Sequence, residues 1–122
     1  MKQKKFKNTV NLADPKFGSK IIYKTDQFFG AASRILNSQK AIFKEGIYDH
    51  HGKWMDGWET RRKRTKNFDW VILKFGFTGI VNKIVIDTSH FKGNYPDSFS
   101  IQAFNYKNNI NINKLIKNSF LE

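Results

Sequence analysis

The chain reads as an all-β sandwich. Short apolar or alternating runs recur along its 122 residues, each bounded by glycine, proline or asparagine. Helical spacing is confined to one stretch, which Gly30 interrupts, and to a short tail.

In chain order, residues 1–8 form a polar lead-in and residues 9–122 a single domain. Residues 11–18 are turn-rich, and Asp14 is pushed toward extended backbone by Pro15. Ser19 to Lys24 is a strand candidate through Ile21, Ile22 and Tyr23. Thr25 and Asp26 can cap a helix in which Phe28, Phe29, Ala32, Ile35 and Leu36 recur at helical spacing. Glu45-Gly46 reads as a turn, and residues 52–64 as a loop with extended pieces. Asp69 to Phe75 is the best candidate for a buried central strand. Ile80 to Asp87 alternates partly and Ser98 to Phe104 cleanly, with a turn-rich loop between them. In the tail, Leu115, Ile116, Phe120 and Leu121 form a short amphipathic pattern. That makes four or five strands, whereas a jelly roll needs eight.

Composition excludes several classes. No apolar run approaches the ~20 residues of a membrane span, and no apolar core or cleavage site follows the basic N-terminus. Without cysteine there are neither disulfides nor thiolate metal sites, so a cytoplasmic protein is the default. The net charge of +12 invites a nucleic-acid reading. Lysine outnumbers arginine 18 to 4, however, and the lysines are scattered from Lys2 to Lys117, as on a solvated surface. The expected partners therefore include neither nucleic acid nor membrane.

Against that background residues 52–64 (GKWMDGWETRRKR) stand out. They hold two of the three tryptophans and three of the four arginines. Guanidinium groups bind carboxylates bidentately and stay charged. In an extended segment Arg62 and Arg64 point one way and Arg61 and Lys63 the other, so at most two of the three arginines converge on one ligand. A solvated basic loop is the plain alternative. Asp56 and Glu59 offer carboxylates for acid–base work, against the alternative of surface ion pairs. Trp54 and Trp58 can wall a polar ligand or sit in partial core. His50 and His51 point apart if extended and read as exposed. His90 follows the Ile80–Asp87 run, where Asp87 and His90 could share a proton, but they are not a metal signature. Phosphate-loop, HExxH and nucleophile-elbow motifs are absent.

The run at 52–64, followed by FDWVILKFG (68–76) and VIDTSHFKGNYPDSFSIQA (85–103), resembles the allantoicase family. The segment VNLADPKFGSKIIYKTDQFFG (10–30) fits the start of an allantoicase repeat, with Gln27 where an acidic residue is usual. The resemblance implies a jelly-roll β-sandwich of the galactose-binding-like type, two repeats in a complete member, and hydrolysis of allantoate to ureidoglycolate and urea. It covers the greater part of a first repeat, so residues 9–122 are expected to be a partial repeat and the isolated chain a truncated or fragmentary enzyme. Little or no turnover is expected of that chain alone, and unpaired strand edges are expected to favour self-association.

Allantoate carries one carboxylate and two ureido groups on one carbon. The expected roles are carboxylate binding by Arg61 and Arg62, a pocket wall from Trp58, and proton transfer by Asp56, Glu59 or His90. No metal or other cofactor is implied, and the partners are the small-molecule substrate and a homo-oligomer or a missing C-terminal repeat. The alternative is a non-catalytic galactose-binding-like module.

Overall fold

A computed structural model of the chain describes residues 8–107 and 111–118. It divides into two compact units after His90.

The first unit is organised by two small antiparallel sheets. Strand β1 (Lys20–Lys24) pairs with β4 (Val71–Lys74), with Lys20 opposite Lys74 and Lys24 opposite Val71, and a bulge between Ile21 and Tyr23. β2 (Tyr48–Asp49) and β3 (Gly52–Lys53) form a tight hairpin. Before β1, Asp14 caps a 3-10 turn at Pro15–Phe17 by accepting from the Lys16 N–H, and Gly18 ends the turn at φ 90°. That left-handed conformation suits glycine. Gly76 lies against this corner so closely that a Cβ there would collide with the Phe17 carbonyl oxygen.

The helix expected from Phe28 to Leu36 is reduced to a 3-10 turn at Ala32–Leu36. Only two of the five periodic residues turn inward: Ala32 and Leu36 are buried alongside Met55, whereas Phe28, Phe29 and Ile35 are exposed. Helix cannot begin earlier because Gly30 is committed to an isolated antiparallel bridge with Glu59. Asp26 accordingly caps no helix; its carboxylate accepts from the Phe28 N–H two residues on, at 2.9 Å. Asp69–Phe75 is likewise not a central strand. β4 is shorter, pairs with β1 only, and its apolar residues are half-buried.

Ile80 to Asp87 carries no ladder, and Ile84 and Ile86 are exposed. The same holds in the second unit for Ser98 to Phe104, where Phe99 and Ile101 are exposed. Period-2 alternation makes a segment competent to be a strand, but a strand needs a neighbour to satisfy its backbone. In the second unit, α1 (Ile112–Asn118) realises the amphipathic tail: Leu115 is buried, and the Asn111 side chain accepts from the Lys114 N–H. Phe120 and Leu121 lie outside the described residues, as do residues 1–7 of the lead-in. The described architecture is thus mostly non-helical, with antiparallel strands in small sheets. No helix among the described residues is long and apolar enough to cross a membrane.

Candidate functional site

Where β1 ends, the Thr25 hydroxyl accepts from the Trp70 N–H at 3.0 Å and donates to the Asp69 carboxylate at 2.8 Å. The Thr25 N–H donates to the Trp70 carbonyl at 3.1 Å. These bonds pin the strand end and deliver Asp26 to the surface beyond it. The Asp26 carbonyl accepts from the indole Nε1 of Trp58 at 2.6 Å. The Gln27 side chain accepts from the Ala32 N–H, which closes the loop onto the 3-10 turn.

The bridge at Gly30 and Glu59 then draws the loop after Trp58 alongside. Each residue's N–H donates to the other's carbonyl, at 2.9 and 3.1 Å. A Cβ on Gly30 would lie 2.7 Å from the Gly57 carbonyl, so the close approach requires glycine. Two residues past the bridge, Arg61 meets Asp26. Its backbone N–H donates to Oδ1 and its Nε to Oδ2, both at 3.0 Å. The guanidinium also lies 4.7 Å from the Phe28 ring centroid. Lys63, on the same side of the segment as Arg61, pairs with Asp69 at 3.7 Å.

An open cleft of about 430 Å³ lies here, lined by Lys24, Thr25, Asp26, Gln27, Phe28, His50, His51 and Arg61. The histidines come from the turn of the β2–β3 hairpin, their ring centroids 3.9 Å apart. The His51 N–H donates to Asp49 Oδ1 at 2.8 Å, and Asp49 Oδ2 is paired with Arg34. Arg34 also donates to the Met55 carbonyl at 3.1 Å. Burial raises the carboxyl pKa of Asp26, but hydrogen bonds from the Phe28 and Arg61 N–H groups and the Arg61 guanidinium outweigh it and hold it below the ordinary value. Asp49 is lowered too, first by the His51 N–H and then by Arg34. Both acids are therefore anionic at neutral pH, Asp26 beside Lys24 and Arg61 in the cleft and Asp49 against Arg34.

Of the residues singled out in the sequence, Arg61 lines this cleft and Trp58 backs it through Asp26. Arg62 is exposed and has no ion pair or hydrogen bond among the described residues. Asp56 lies elsewhere, accepting from the Ile42 N–H at 2.9 Å. Glu59 serves the bridge with its backbone. His90, at φ 71°, stacks on Phe43 and approaches the Ala41 carbonyl at 3.3 Å. The sequence marks Asp26 as a cap and not as a cleft residue; of the two histidines that read as exposed, His50 is exposed and His51 half-buried. Asp26 lies in the segment at 10–30 that fits the start of an allantoicase repeat. No such signal marks the histidines, which reach the cleft only through the hairpin. Among the described residues no group of three or more His, Asp or Glu could hold a metal ion.

This geometry can hold a small anion with hydrogen-bonding arms. The allantoicase repeat family model matches residues 10–119. The chain belongs to the allantoicase family. It is 52% identical over 94 residues to a probable allantoicase 1 of Burkholderia mallei, covering 77% of this chain and 28% of that relative. It is 48% identical over 98 residues to a probable allantoicase of Photobacterium profundum, covering 80% of this chain and 30% of that relative. A probable allantoicase of Ralstonia nicotianae shares 52% over 93 residues, 76% of this chain and 28% of its own. This allantoicase repeat thus spans under a third of the length of the curated relatives it matches. No solved structure matches it.

Proposed function

We propose that this chain serves the hydrolysis of allantoate to ureidoglycolate and urea, and that the cleft at Asp26 and Arg61 receives the substrate's carboxylate. The observation that carries this reading is the state of the Arg61 guanidinium. Asp26 engages Nε, while Nη1 and Nη2 make no hydrogen bond among the described residues. A guanidinium held at one edge presents the other as a pre-oriented fork for a planar carboxylate. Lys24 adds positive charge, and the Gln27 side-chain amide, whose oxygen is engaged by Ala32, offers its N–H groups to a ureido arm. Trp58 supports the wall from behind.

Arg62 does not share this face, so the clamp in this reading is Arg61 alone. Asp56, Glu59 and His90 stand outside the cleft, and proton transfer is left to a residue that lines it. For the fold, the reading is a jelly-roll sandwich of the galactose-binding-like type, supported by family membership and the antiparallel β1–β4 pairing. The setting is cytoplasmic, as suits a chain without cysteine.

Because the chain spans less than a third of its relatives, binding is the readout that tests this reading directly. Titrating allantoate into the isotopically labelled chain should shift the Arg61 Nε–Hε resonance saturably, and Arg61→Ala should abolish the response at the cleft. Cleft resonances that stay still at millimolar allantoate would overturn the reading.

A further inference from the structure

The geometry points to His51 as the acid–base residue of this cleft, an assignment that rests on the allantoate reading. Its Nδ1 lies 2.9 Å from the Phe28 carbonyl oxygen. A carbonyl can only accept, so Nδ1 carries the proton of the neutral ring and Nε2 keeps its lone pair. The ring is therefore held as one tautomer, with Nε2 as the base. The backbone of the same residue is fixed by Asp49, and Asp49 by Arg34. His51 is thus anchored at two points, to the hairpin below and to the Asp26–Phe28 loop across the cleft. Arg61 stacks on the very Phe28 whose carbonyl orients the imidazole. The charged and titratable groups facing it are Lys24, Asp26 and Arg61 across the cleft, His50 beside it and Asp49 beneath.

This placement supplies what the reaction needs. As water attacks the central carbon, its oxygen forms the new bond and Nε2 takes one of its protons. The bond from that carbon to one ureido nitrogen breaks, and its electron pair stays on nitrogen. His51 returns the proton to that nitrogen, so urea leaves neutral and the ring regains its starting state. One molecule of water is consumed, and no other reactant is required. A positioned imidazole in this role contributes about 10²–10⁴ in rate.

Long-range proton–nitrogen correlation of the histidine rings in the chain tests the assignment. In its neutral form the His51 ring should carry its proton on Nδ1 and none on Nε2, and its ring resonances should shift saturably with allantoate. A proton on Nε2 of the neutral ring overturns the proposal. So does an allantoate response at Arg61 with none at His51, which leaves the binding reading intact. No response at any cleft residue overturns both. In a full-length allantoicase whose homologous repeat is replaced by this chain, urea release should fall about 10²-fold or more in His51→Gln, whose amide spectrum should otherwise match the parent. A rate unchanged by that substitution also overturns the assignment.

Discussion

Asp26 holds Arg61 at two points, taking the backbone N–H on one carboxylate oxygen and Nε on the other, each at 3.0 Å. The backbone bond fixes where the side chain begins, and the Nε bond fixes how the guanidinium turns. What remains of Arg61 is two-thirds exposed and faces the cleft.

An exposed ion pair contributes only about 0.2–1 kcal/mol to stability, so its removal should be felt in binding more than in folding. Asp26→Asn should weaken allantoate binding about tenfold, the equivalent of about 1.4 kcal/mol, with little change in melting temperature. Calorimetric titration beside thermal melts checks this. A large stability loss with unchanged affinity would make the pair purely structural.

The corner where Gly76 meets Phe17 and Gly18 has no room for a side chain. Gly76→Ala should cost about 1–3 kcal/mol, as overpacking does. Gly46→Ala, at a turn with open space around it but φ 71°, should cost about 1 kcal/mol from backbone conformation alone. Denaturant midpoints of the two variants would rank them.

Asp26 and Asp49 both have carboxyl pKa values below the ordinary value of 3.8. Below that value the unfolded chain binds more protons than the folded one, so stability rises with pH there. Their contribution should be complete above about pH 4 and lost as pH falls through the lowered native values. Melting temperatures from pH 2 to 6 should show this, and Asp26→Asn should flatten part of the slope.

Arg34 ties the 3-10 turn to the hairpin through Asp49 and to the Met55 carbonyl, and lies 5.9 Å from the Trp54 ring centroid. Arg34→Leu should lower the melting temperature by roughly 4–8 °C, the shift expected for a loss of about 1 kcal/mol in a small domain. Hydrogen exchange at the His51 amide should quicken, since its acceptor loses its own anchor. Unaltered exchange at His51 would show that Arg34 does not position it.

Among the described residues β1 and β4 each have an unpaired edge, and Ile80, Ile84 and Val85 are exposed. Such surfaces associate, while a net charge of +12 opposes it. Salt screens the repulsion, with a Debye length near 10 Å at about 0.1 M, so light scattering should show association that grows with ionic strength. A monomer at every salt concentration would argue against these edges pairing.

Much of the first unit was legible in the residues themselves. Ser19 to Lys24 reads as a strand and β1 covers Lys20–Lys24, Glu45-Gly46 reads as a turn and is one, and residues 52–64 as a loop with extended pieces. Ala32 and Leu36 were recognisable as inward positions even though their helix shrank to a turn. These are local properties, decided by side-chain period and backbone preference over a few residues.

What the tertiary structure decided was which segments found partners. The alternation at Ile84 and Ile86, or at Phe99 and Ile101, makes strand possible, but pairing is a contact between distant segments and no local pattern supplies the neighbour. The cleft obeys the same physics. Asp26 and Arg61 are 35 positions apart, and His51 reaches Phe28 only because the hairpin turn and the Gly30 bridge bring their backbones together. Residue types set the available charges and donors, whereas long-range closure set which of them share a site.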